Sequence, residues 1–244
     1  MVPAMSINTL DRRQSFLLGV RLVAPMLVGV APFGIIYGVV ALQSGIAPLA
    51  ALLMSSVLFA GASQFLLAQM VGLGAPALVT LGAVGLVNAR HALYSASLAP
   101  VLASLPRRWK MLLAYLLTDE AYAASIGTLM AEPRPRHGHW VMFGSGLGLW
   151  TCWQLSTLFG IVAGEWLPKN LELDFALPLT FIAIAVPMID SRAQFAGALA
   201  AGFIAIAGHA LPYKLGFIAA AAGGLAAATL TGRHARAAHA RNVA

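Results

Sequence analysis

Residues 22–42 read LVAPMLVGVAPFGIIYGVVAL, an apolar run long enough to cross the hydrocarbon core of a bilayer as a helix. This run belongs to a longer stretch, residues 22–89, that contains no Asp, Glu, Lys or Arg. Of the 244 residues in the chain, 60% are hydrophobic and only 9% are charged, whereas soluble domains have about 45–50% apolar and about 25% charged residues. The shortage of charge excludes an ordinary soluble enzyme and predicts an all-α, multi-pass membrane protein.

Apolar runs divide the chain into seven to eight predicted transmembrane segments, with Gly and Pro at the joints. The eight runs cover approximately residues 16–42, 49–73, 76–105, 111–130, 140–163, 174–189, 193–208 and 213–230. We predict that residues 15–232 form a single transmembrane domain. An N-terminal leader, residues 1–14, precedes this domain, and a basic tail, residues 233–244, follows it.

The net charge of +7 comes from short basic clusters between the apolar runs. This distribution is typical of membrane loops that face anionic lipid, and it does not form the aromatic-rich basic patch that nucleic acid requires. If all eight runs cross the membrane and the N-terminus is cytoplasmic, the cluster at residues 107–110 falls outside. If the third run is re-entrant, that cluster moves inside but residues 134–136 move outside. The charges do not decide between these counts, and the first is preferred.

Arg90 lies in the middle of the third run. In one continuous helix from residue 76 to residue 105 it would be roughly 21 Å from either end, while the hydrocarbon half-thickness is about 15 Å. Its guanidinium must therefore face a protein interior, a water-filled cavity, or a break between two half-helices. Transporters build substrate sites in such places, so each alternative assigns Arg90 to function.

Asp119 and Glu120 are adjacent carboxylates near the middle of the fourth run. Both are costly in lipid, so the pair either neutralises Arg90, carries a proton, or belongs to an interfacial helix shifted in register. Ser63 and Gln64 in the second run either hydrogen-bond a substrate or hold another helix.

Two further patterns suggest internal relationships. The sequence His91-Ala92-Leu93 recurs as His209-Ala210-Leu211, which predicts related halves, residues 15–105 and 139–232, with helices broken near Arg90 and His209. Glycines spaced four apart in the first and fifth runs predict close helix packing without intervening lipid. These pairs are Gly34/Gly38, Gly144/Gly148 and Gly160/Gly164.

Several chemistries have no signature in the chain. It carries no phosphate-binding Gly-Lys-Ser/Thr loop and no zinc motif, and its single cysteine, Cys152, sits in an apolar run. We therefore predict no cofactor, no metal and no enzyme activity. Gly144-Ser145-Gly146, with His91 or His209 as base, leaves an intramembrane serine protease as an alternative. A structural membrane subunit without transport activity is another.

Five blocks, in this order along residues 15–230, resemble the AzlC family, the large permease subunits of branched-chain amino acid exporters. The most specific of them is the third, which contains Asn-x-Arg-His-x-Leu-Tyr-Ser. The blocks are Pro32-Phe33-Gly34, Phe59-Ala60-Gly61-Ala62-Ser63-Gln64, Asn88-Ala89-Arg90-His91-Ala92-Leu93-Tyr94-Ser95-Ala96-Ser97-Leu98-Ala99-Pro100, Leu117-Thr118-Asp119-Glu120 and Leu173-Asp174-Phe175-Ala176-Leu177-Pro178.

The resemblance implies a permease of the bacterial cytoplasmic membrane that exports valine, leucine, isoleucine and, in some members, methionine. It also implies a separate small membrane subunit, similar to AzlD, as partner. The resemblance maps no binding residues, so the site hypothesis rests on the chemistry of a zwitterion.

We expect the substrate carboxylate to bind Arg90 and a half-helix that starts near His91, with Asn88 in the same block. Candidate acceptors for the substrate ammonium are Asp119, Glu120 and Gln64. Phe59, Phe65 and Tyr94 are expected to line the side-chain pocket. With no ATP site visible, a proton gradient is the default energy source, and its candidate carriers are Asp119, Glu120 and His91.

Overall fold

A computed structural model describes residues 10–131, 135–166, 189, 191–211 and 215–243, with side chains omitted at 217 and 234–243. Every regular element within these ranges is an α-helix. The sixth predicted run, residues 174–189, lies almost entirely outside the described residues. The chain forms two compact units, one made of residues 1–72 and 87–169 and the other of residues 73–86 and 170–244.

Nine helices are described. They are α1 (Arg12–Gln43), α2 (Pro48–Val57), α3 (Gly61–Gly72), α4 (Ala77–Leu102), α5 (Arg107–Tyr115), α6 (Asp119–Leu129), α7 (Gly138–Trp166), α8 (Arg192–Ala207) and α9 (Leu215–Val243). Two of them, α1 and α7, are long and apolar enough to cross a membrane. The all-helical class predicted from composition is confirmed, whereas the count of seven to eight crossings stays a prediction.

The frame of the first unit is a parallel pair, α1 and α7. Near the start of both helices, a Cβ atom on Gly144 would collide with the Phe16 carbonyl oxygen. Near their ends, a Cβ on Gly160 would collide with the carbonyl oxygen of Ile35. Early residues of α1 therefore contact early residues of α7, and late residues contact late ones, so the two helices are parallel. The predicted close packing of the first and fifth runs is therefore confirmed.

The second predicted run does not form one spanning helix. It consists of α2 and α3, with residues 58–60 non-helical between them. The Tyr37 hydroxyl donates to the Ala51 carbonyl at 3.1 Å, which holds α2 against the last turns of α1. A Cβ on Gly72 would lie 3.3 Å from the Cα of Ser44. Both ends of this α2–α3 hairpin therefore lie beside the C-terminal end of α1.

The fourth predicted run is also a hairpin, made of α5 and α6 with residues 116–118 non-helical between them. The ring of Trp109, in the first turn of α5, lies 5.0 Å from that of Trp140 at the start of α7. At the other end of the hairpin, Leu129 lies 3.3 Å from a Cβ built on Gly138. Both ends of the α5–α6 hairpin therefore lie beside the N-terminal ends of α1 and α7.

The tips of the two hairpins meet beside the middle of α7. The rings of Phe59 and Tyr115 are 6.3 Å apart, and the Tyr115 hydroxyl donates to the Ser56 carbonyl. Trp150, near the midpoint of α7, donates from Nε1 to the same hydroxyl at 2.8 Å. The hairpins thus enter the unit from opposite ends and stop at the same level.

The break predicted near Arg90 is wrong. Helix α4 is continuous through Asn88, Arg90 and His91, and it ends only at Leu102. Breaks occur instead in the flanking runs, where the chain reverses direction. Near His209 the chain does leave the helical conformation, because α8 ends at Ala207 and residues 208–210 form a turn.

The two hairpins have matching spacings. Four residues, 44–47, separate α1 from α2, and four, 103–106, separate α4 from α5. Three residues form each break, 58–60 and 116–118. The segment α4–α6 therefore repeats the pattern of α1–α3 in the opposite orientation, which is typical of transporters with inverted repeats. The predicted relation between residues 15–105 and 139–232 stays a prediction.

The second unit contains the helix pair α8 and α9. Ser191 caps α8 by accepting from the Gln194 amide at 3.2 Å. A Cβ on Gly197 would lie 2.9 Å from the Ala228 Cβ, and one on Gly224 would lie 2.8 Å from the Ala201 Cβ. The earlier residue of α8, Gly197, meets the later residue of α9, Ala228, while Ala201 meets Gly224. These two helices are therefore antiparallel.

Candidate functional site

The candidate site is centred on an ion pair between α4 and α6. Arg90 Nη1 lies 2.6 Å from Asp119 Oδ2. Asp119 is the first residue of α6, so the orphan amide groups and positive dipole end of that helix stabilise its negative charge. Thr118 caps the same helix by accepting from the Ala121 amide at 3.3 Å. The predicted neutralisation of Arg90 by the acid pair is therefore observed, with Asp119 as the partner.

The ion pair is only partly satisfied. The side chains of Arg90 and Asp119 are 36% and 29% exposed. Among the described residues, however, Arg90 Nε and Asp119 Oδ1 are buried and have no hydrogen-bond partner. A buried polar atom without a partner costs about 1–3 kcal/mol, and more when it is charged. The pair therefore presents one unused donor and one unused acceptor.

Asn88 connects α4 to the other broken helix. Its Oδ1 accepts from the hydroxyl of Ser63, in the first turn of α3, at 2.7 Å. Asn88 and Arg90 are two residues apart and so project on different sides of α4. One short segment of a continuous helix thus contacts the N-terminal turns of both half-helices that begin at the hairpin tips.

Gln64 and Phe65 belong to a buried aromatic cluster beside this contact. The indole Nε1 of Trp153 donates to Gln64 Oε1 at 2.7 Å. Within the described chain, Gln64 Nε2 has no partner, although the residue is completely buried. The rings of this cluster pack closely on each other, with centroid separations of 4.6 Å for Phe33–Phe65 and 6.0 Å for Tyr37–Trp153. The Gln64 amide, which was predicted to contact a substrate, therefore lies in a packed interior.

The remaining predicted residues are divided between two places. His91 and Tyr94 follow Arg90 on α4, and their rings are 6.1 Å apart. Tyr94 stacks on Tyr122 of α6 at 4.6 Å, which extends an aromatic wall along the same two helices as the ion pair. Phe59 lies at the tip of the α2–α3 hairpin and packs against residues of α1 and α7 such as Val23 and Leu149.

Comparison with known proteins identifies the family. The AzlC protein family model matches residues 25–167, which include both hairpins, α4 and the ion pair. The chain belongs to the AzlC family. No solved structure matches the chain.

Three relatives of this AzlC family chain are membrane or transport proteins by name. The chain is 28% identical to the inner membrane protein YgaZ of Escherichia coli K12 over 76% of its own length and 80% of that protein. It is 28% identical to an archaeal protein from Archaeoglobus fulgidus, named only as an uncharacterized membrane protein, over 89% and 95% of the two chains. It is 29% identical to the branched-chain amino acid transport protein AzlC of Bacillus subtilis 168, over 66% of this chain and 63% of that one.

The serine that suggested a protease has a packing role in this AzlC family chain. Ser145 is completely buried, and its hydroxyl donates to the carbonyl oxygens of Gly19 at 3.1 Å and Val141 at 3.0 Å. Both acceptors lie in the α1–α7 interface. A serine nucleophile must reach its substrate, and its hydroxyl must donate to a general base. The Ser145 hydroxyl is buried and donates to backbone carbonyls, so nothing in this environment favours acyl chemistry.

Sequence reasoning missed Tyr37, Tyr115 and Trp153 as contributors to the site of this AzlC family member. Their polar atoms contact groups that are distant in sequence, such as the Gln64 amide and the Ser56 carbonyl. Of the two alternatives predicted for Ser63, the contact with another helix is the one observed, because its hydroxyl donates to Asn88 of α4. One local signal was available, because Thr118 followed by two acids is a helix N-terminus signature.

Proposed function

We propose that the chain is the large subunit of a secondary transporter that exports branched-chain and other large neutral amino acids. It would work with a small AzlD-like membrane subunit and use the proton gradient. Membership of the AzlC family and the name of the Bacillus relative, a branched-chain amino acid transport protein, support amino acid transport. The observation that carries the proposed substrate site is the incompletely satisfied Arg90–Asp119 pair at the level of the hairpin tips.

A zwitterionic amino acid complements this pair. Its carboxylate would accept from Arg90 Nε, and its ammonium would donate to Asp119 Oδ1. Both protein atoms are buried, so the two new charge-assisted hydrogen bonds would form where water does not compete. An anion or a cation alone would satisfy only one of them. This complementarity favours a neutral zwitterion over a simple ion.

The aromatic wall beside the pair would hold the substrate side chain. Tyr94 and Tyr122 stack together, and the Tyr122 hydroxyl forms a hydrogen bond of 2.9 Å with Ser97. An aliphatic chain attached to a zwitterion at the ion pair would lie against these rings and bury apolar surface.

Proton coupling would use the carboxylates at the start of α6. A proton on Asp119 would remove the negative charge that neutralises Arg90. Glu120 and His91 are the neighbouring titratable groups. Protonation of Asp119 would weaken its attraction for both Arg90 and the substrate ammonium. One proton could thus release the substrate and reset the pair.

The test is efflux of labelled valine from cells that express this chain with and without the small subunit. Valine would be supplied as a dipeptide, which bypasses import. We expect faster efflux only when both subunits are present, and a loss of at least about tenfold in Arg90→Gln, since one lost charge-assisted hydrogen bond is worth about 1.5–3 kcal/mol. Arg136→Gln, which removes an exposed arginine, is the matched control.

Membrane levels of each variant are measured by immunoblotting, so that a folding defect is not read as a transport defect. The double exchange Arg90→Asp with Asp119→Arg would restore the level of protein if the pair only supports folding. Normal valine efflux by Arg90→Gln at a normal protein level would overturn the proposed site. Absence of efflux in every combination would overturn the proposed substrate.

A further inference from the structure

A cleft of about 350 Å³ lies between the last turns of α4 and helix α5, and neither residue of the ion pair lines it. Small and branched apolar side chains form almost all of its surface. Leu98, Leu102 and Leu117 belong to this apolar surface, and Lys110 lies at its edge. Leu113 and Met142 form its buried floor, and Ala99, Ala103 and Ala114 are exposed along its rim. The cleft is therefore an open apolar slot with a single cation in its wall.

Basic side chains gather at the mouth of this cleft. Lys110 is exposed and donates from Nζ to the Ala103 carbonyl at 2.6 Å, which fixes one ammonium at the junction of α4 and α5. An ammonium carries three donors, so others remain for a ligand. Arg107 and Arg108, in the first turn of α5, are exposed as well. No acidic residue occurs between Arg21 and Lys110 in the sequence.

The mouth of the cleft lies at the basic end of the first unit. Trp109 packs on Trp140 at the start of α7, and Phe143 packs at 5.6 Å on Phe16 near the start of α1. Arg12, Arg13 and Arg136 therefore lie at the same end as α5. The joint at the opposite end of α1, residues 44–47, carries no charge. The preferred count of eight crossings, which put residues 107–110 and 134–136 on opposite sides, is therefore wrong for Arg107 and Arg136, which lie at one end. By the positive-inside rule this basic end faces the cytoplasm, where the leaflet is rich in anionic lipid.

We propose that this cleft binds an anionic phospholipid of the cytoplasmic leaflet. One acyl chain would lie in the apolar slot, and the phosphate would contact Lys110, Arg107 and Arg108. Basic pockets between transmembrane helices on the cytoplasmic side are suited to such headgroups. An apolar slot beside three cations matches a ligand that combines a long hydrocarbon chain with a net negative charge. It favours such a lipid over a zwitterionic one, whose headgroup cation would be repelled by the three basic side chains. This inference does not depend on the proposed transport activity.

The test uses the full chain purified in detergent. Thermal unfolding is followed by tryptophan fluorescence, with added phosphatidylglycerol or phosphatidylcholine. We expect phosphatidylglycerol to raise the melting temperature by about 5–10 °C at about a hundredfold excess over its dissociation constant, and phosphatidylcholine to raise it much less. Lys110→Gln should lose most of this gain by removing the charge. Ala114→Phe should lose it by filling the slot while every charge is retained.

Two matched variants control for general effects. Arg13→Gln removes another exposed cation from the same end, and Ala24→Phe adds a ring at an exposed position of α1. Both should keep the full gain from phosphatidylglycerol. Equal gains from the two lipids, or an undiminished gain in both Lys110→Gln and Ala114→Phe, would overturn the proposal.

A second measurement addresses a protein occupant. Ala99→Cys, in a Cys152→Ser background, is labelled in detergent with a maleimide. Protection by phosphatidylglycerol in the absence of any other protein supports the lipid site. Protection by a co-purified small subunit alone, with none from the lipid, would assign the cleft to a subunit interface and overturn the proposal.

Discussion

The Tyr115 hydroxyl bridges two chain reversals, because it donates to the Ser56 carbonyl in the last turns of α2 and accepts from Trp150 Nε1 at 2.8 Å. Ser56 and Tyr115 belong to different hairpins that enter the unit from opposite ends. One phenol thereby satisfies a carbonyl that α2 leaves without a helical partner. It also fixes both tips to the middle of α7.

Removing this hydroxyl should loosen both tips. Tyr115→Phe leaves the Ser56 carbonyl and the Trp150 indole N–H without their partner, which costs about 1–3 kcal/mol for each group that stays dry. We expect a lower melting temperature in detergent and slower transport at an unchanged expression level. The double variant Tyr115→Phe with Trp150→Phe should cost less than the sum of the single variants. Additive losses would show that the two groups do not depend on each other.

Cysteine accessibility distinguishes hairpins from spanning helices. In a Cys152→Ser background, single cysteines at Gly45 and Gly72, at the two ends of the α2–α3 hairpin, should react with an impermeant maleimide from the same side of the membrane. Cysteines at Arg107 and Met130 should both react from the other side. If position 45 and position 72 reacted from opposite sides, the second run would cross the membrane and the hairpin would be wrong.

The parallel contact of α1 and α7 should be intolerant of a single methyl group. Gly144→Ala places a Cβ against the Phe16 carbonyl, a backbone atom that cannot turn away. We expect a loss of about 1–3 kcal/mol or more in unfolding free energy, which is the usual cost of overpacking. Gly29→Ala, where the added Cβ meets nothing within 4 Å, is the control and should be neutral or stabilising. Thermal denaturation of the two variants side by side measures the difference.

The buried hydrogen bond between Trp153 and Gln64 can be tested by removing first the acceptor and then the donor. Gln64→Met leaves the Trp153 N–H without its acceptor, at a cost of about 1–3 kcal/mol. Adding Trp153→Phe removes that N–H, and most of the stability should return because neither partner then remains unpaired. Melting temperatures of the two variants are the measurement. If Trp153→Phe brought no recovery, the loss would come from altered packing and the hydrogen bond would not be its cause.

Composition was enough to predict the helical class, since a chain with so few charges can satisfy its backbone in lipid only within helices or a closed barrel. The pairing of Arg90 with an acid was also predictable, because a cation in the middle of a long apolar run requires a counter-charge. The sequence did not, however, predict which of the two acids pairs with Arg90. That choice depends on where α6 begins, and Asp119 occupies its first position while Glu120 follows it.

The chain reversals could not be located from hydropathy. Residues 49–73 form an apolar run of spanning length, and neither break, 58–60 or 116–118, contains a proline. The reversals depend on contacts made elsewhere, such as those of Tyr115 with Ser56 and of Gly61 with Trp153. Arg90 appeared to be the site of a break because its charge was the strongest local anomaly. The breaks lie instead just before α3 and α6, the two helices that contact this part of α4, and α4 itself is continuous.

The attachment of each hairpin at one end only has a mechanical consequence. The α2–α3 hairpin is tethered at the uncharged end of α1, and the α5–α6 hairpin is tethered at the basic end. The two tips are coupled while the Tyr115 contacts with Ser56 and Trp150 are present, and breaking these contacts would leave each hairpin held only at its own pair of joints. A single phenol therefore couples two half-length segments that are anchored at opposite ends of the unit.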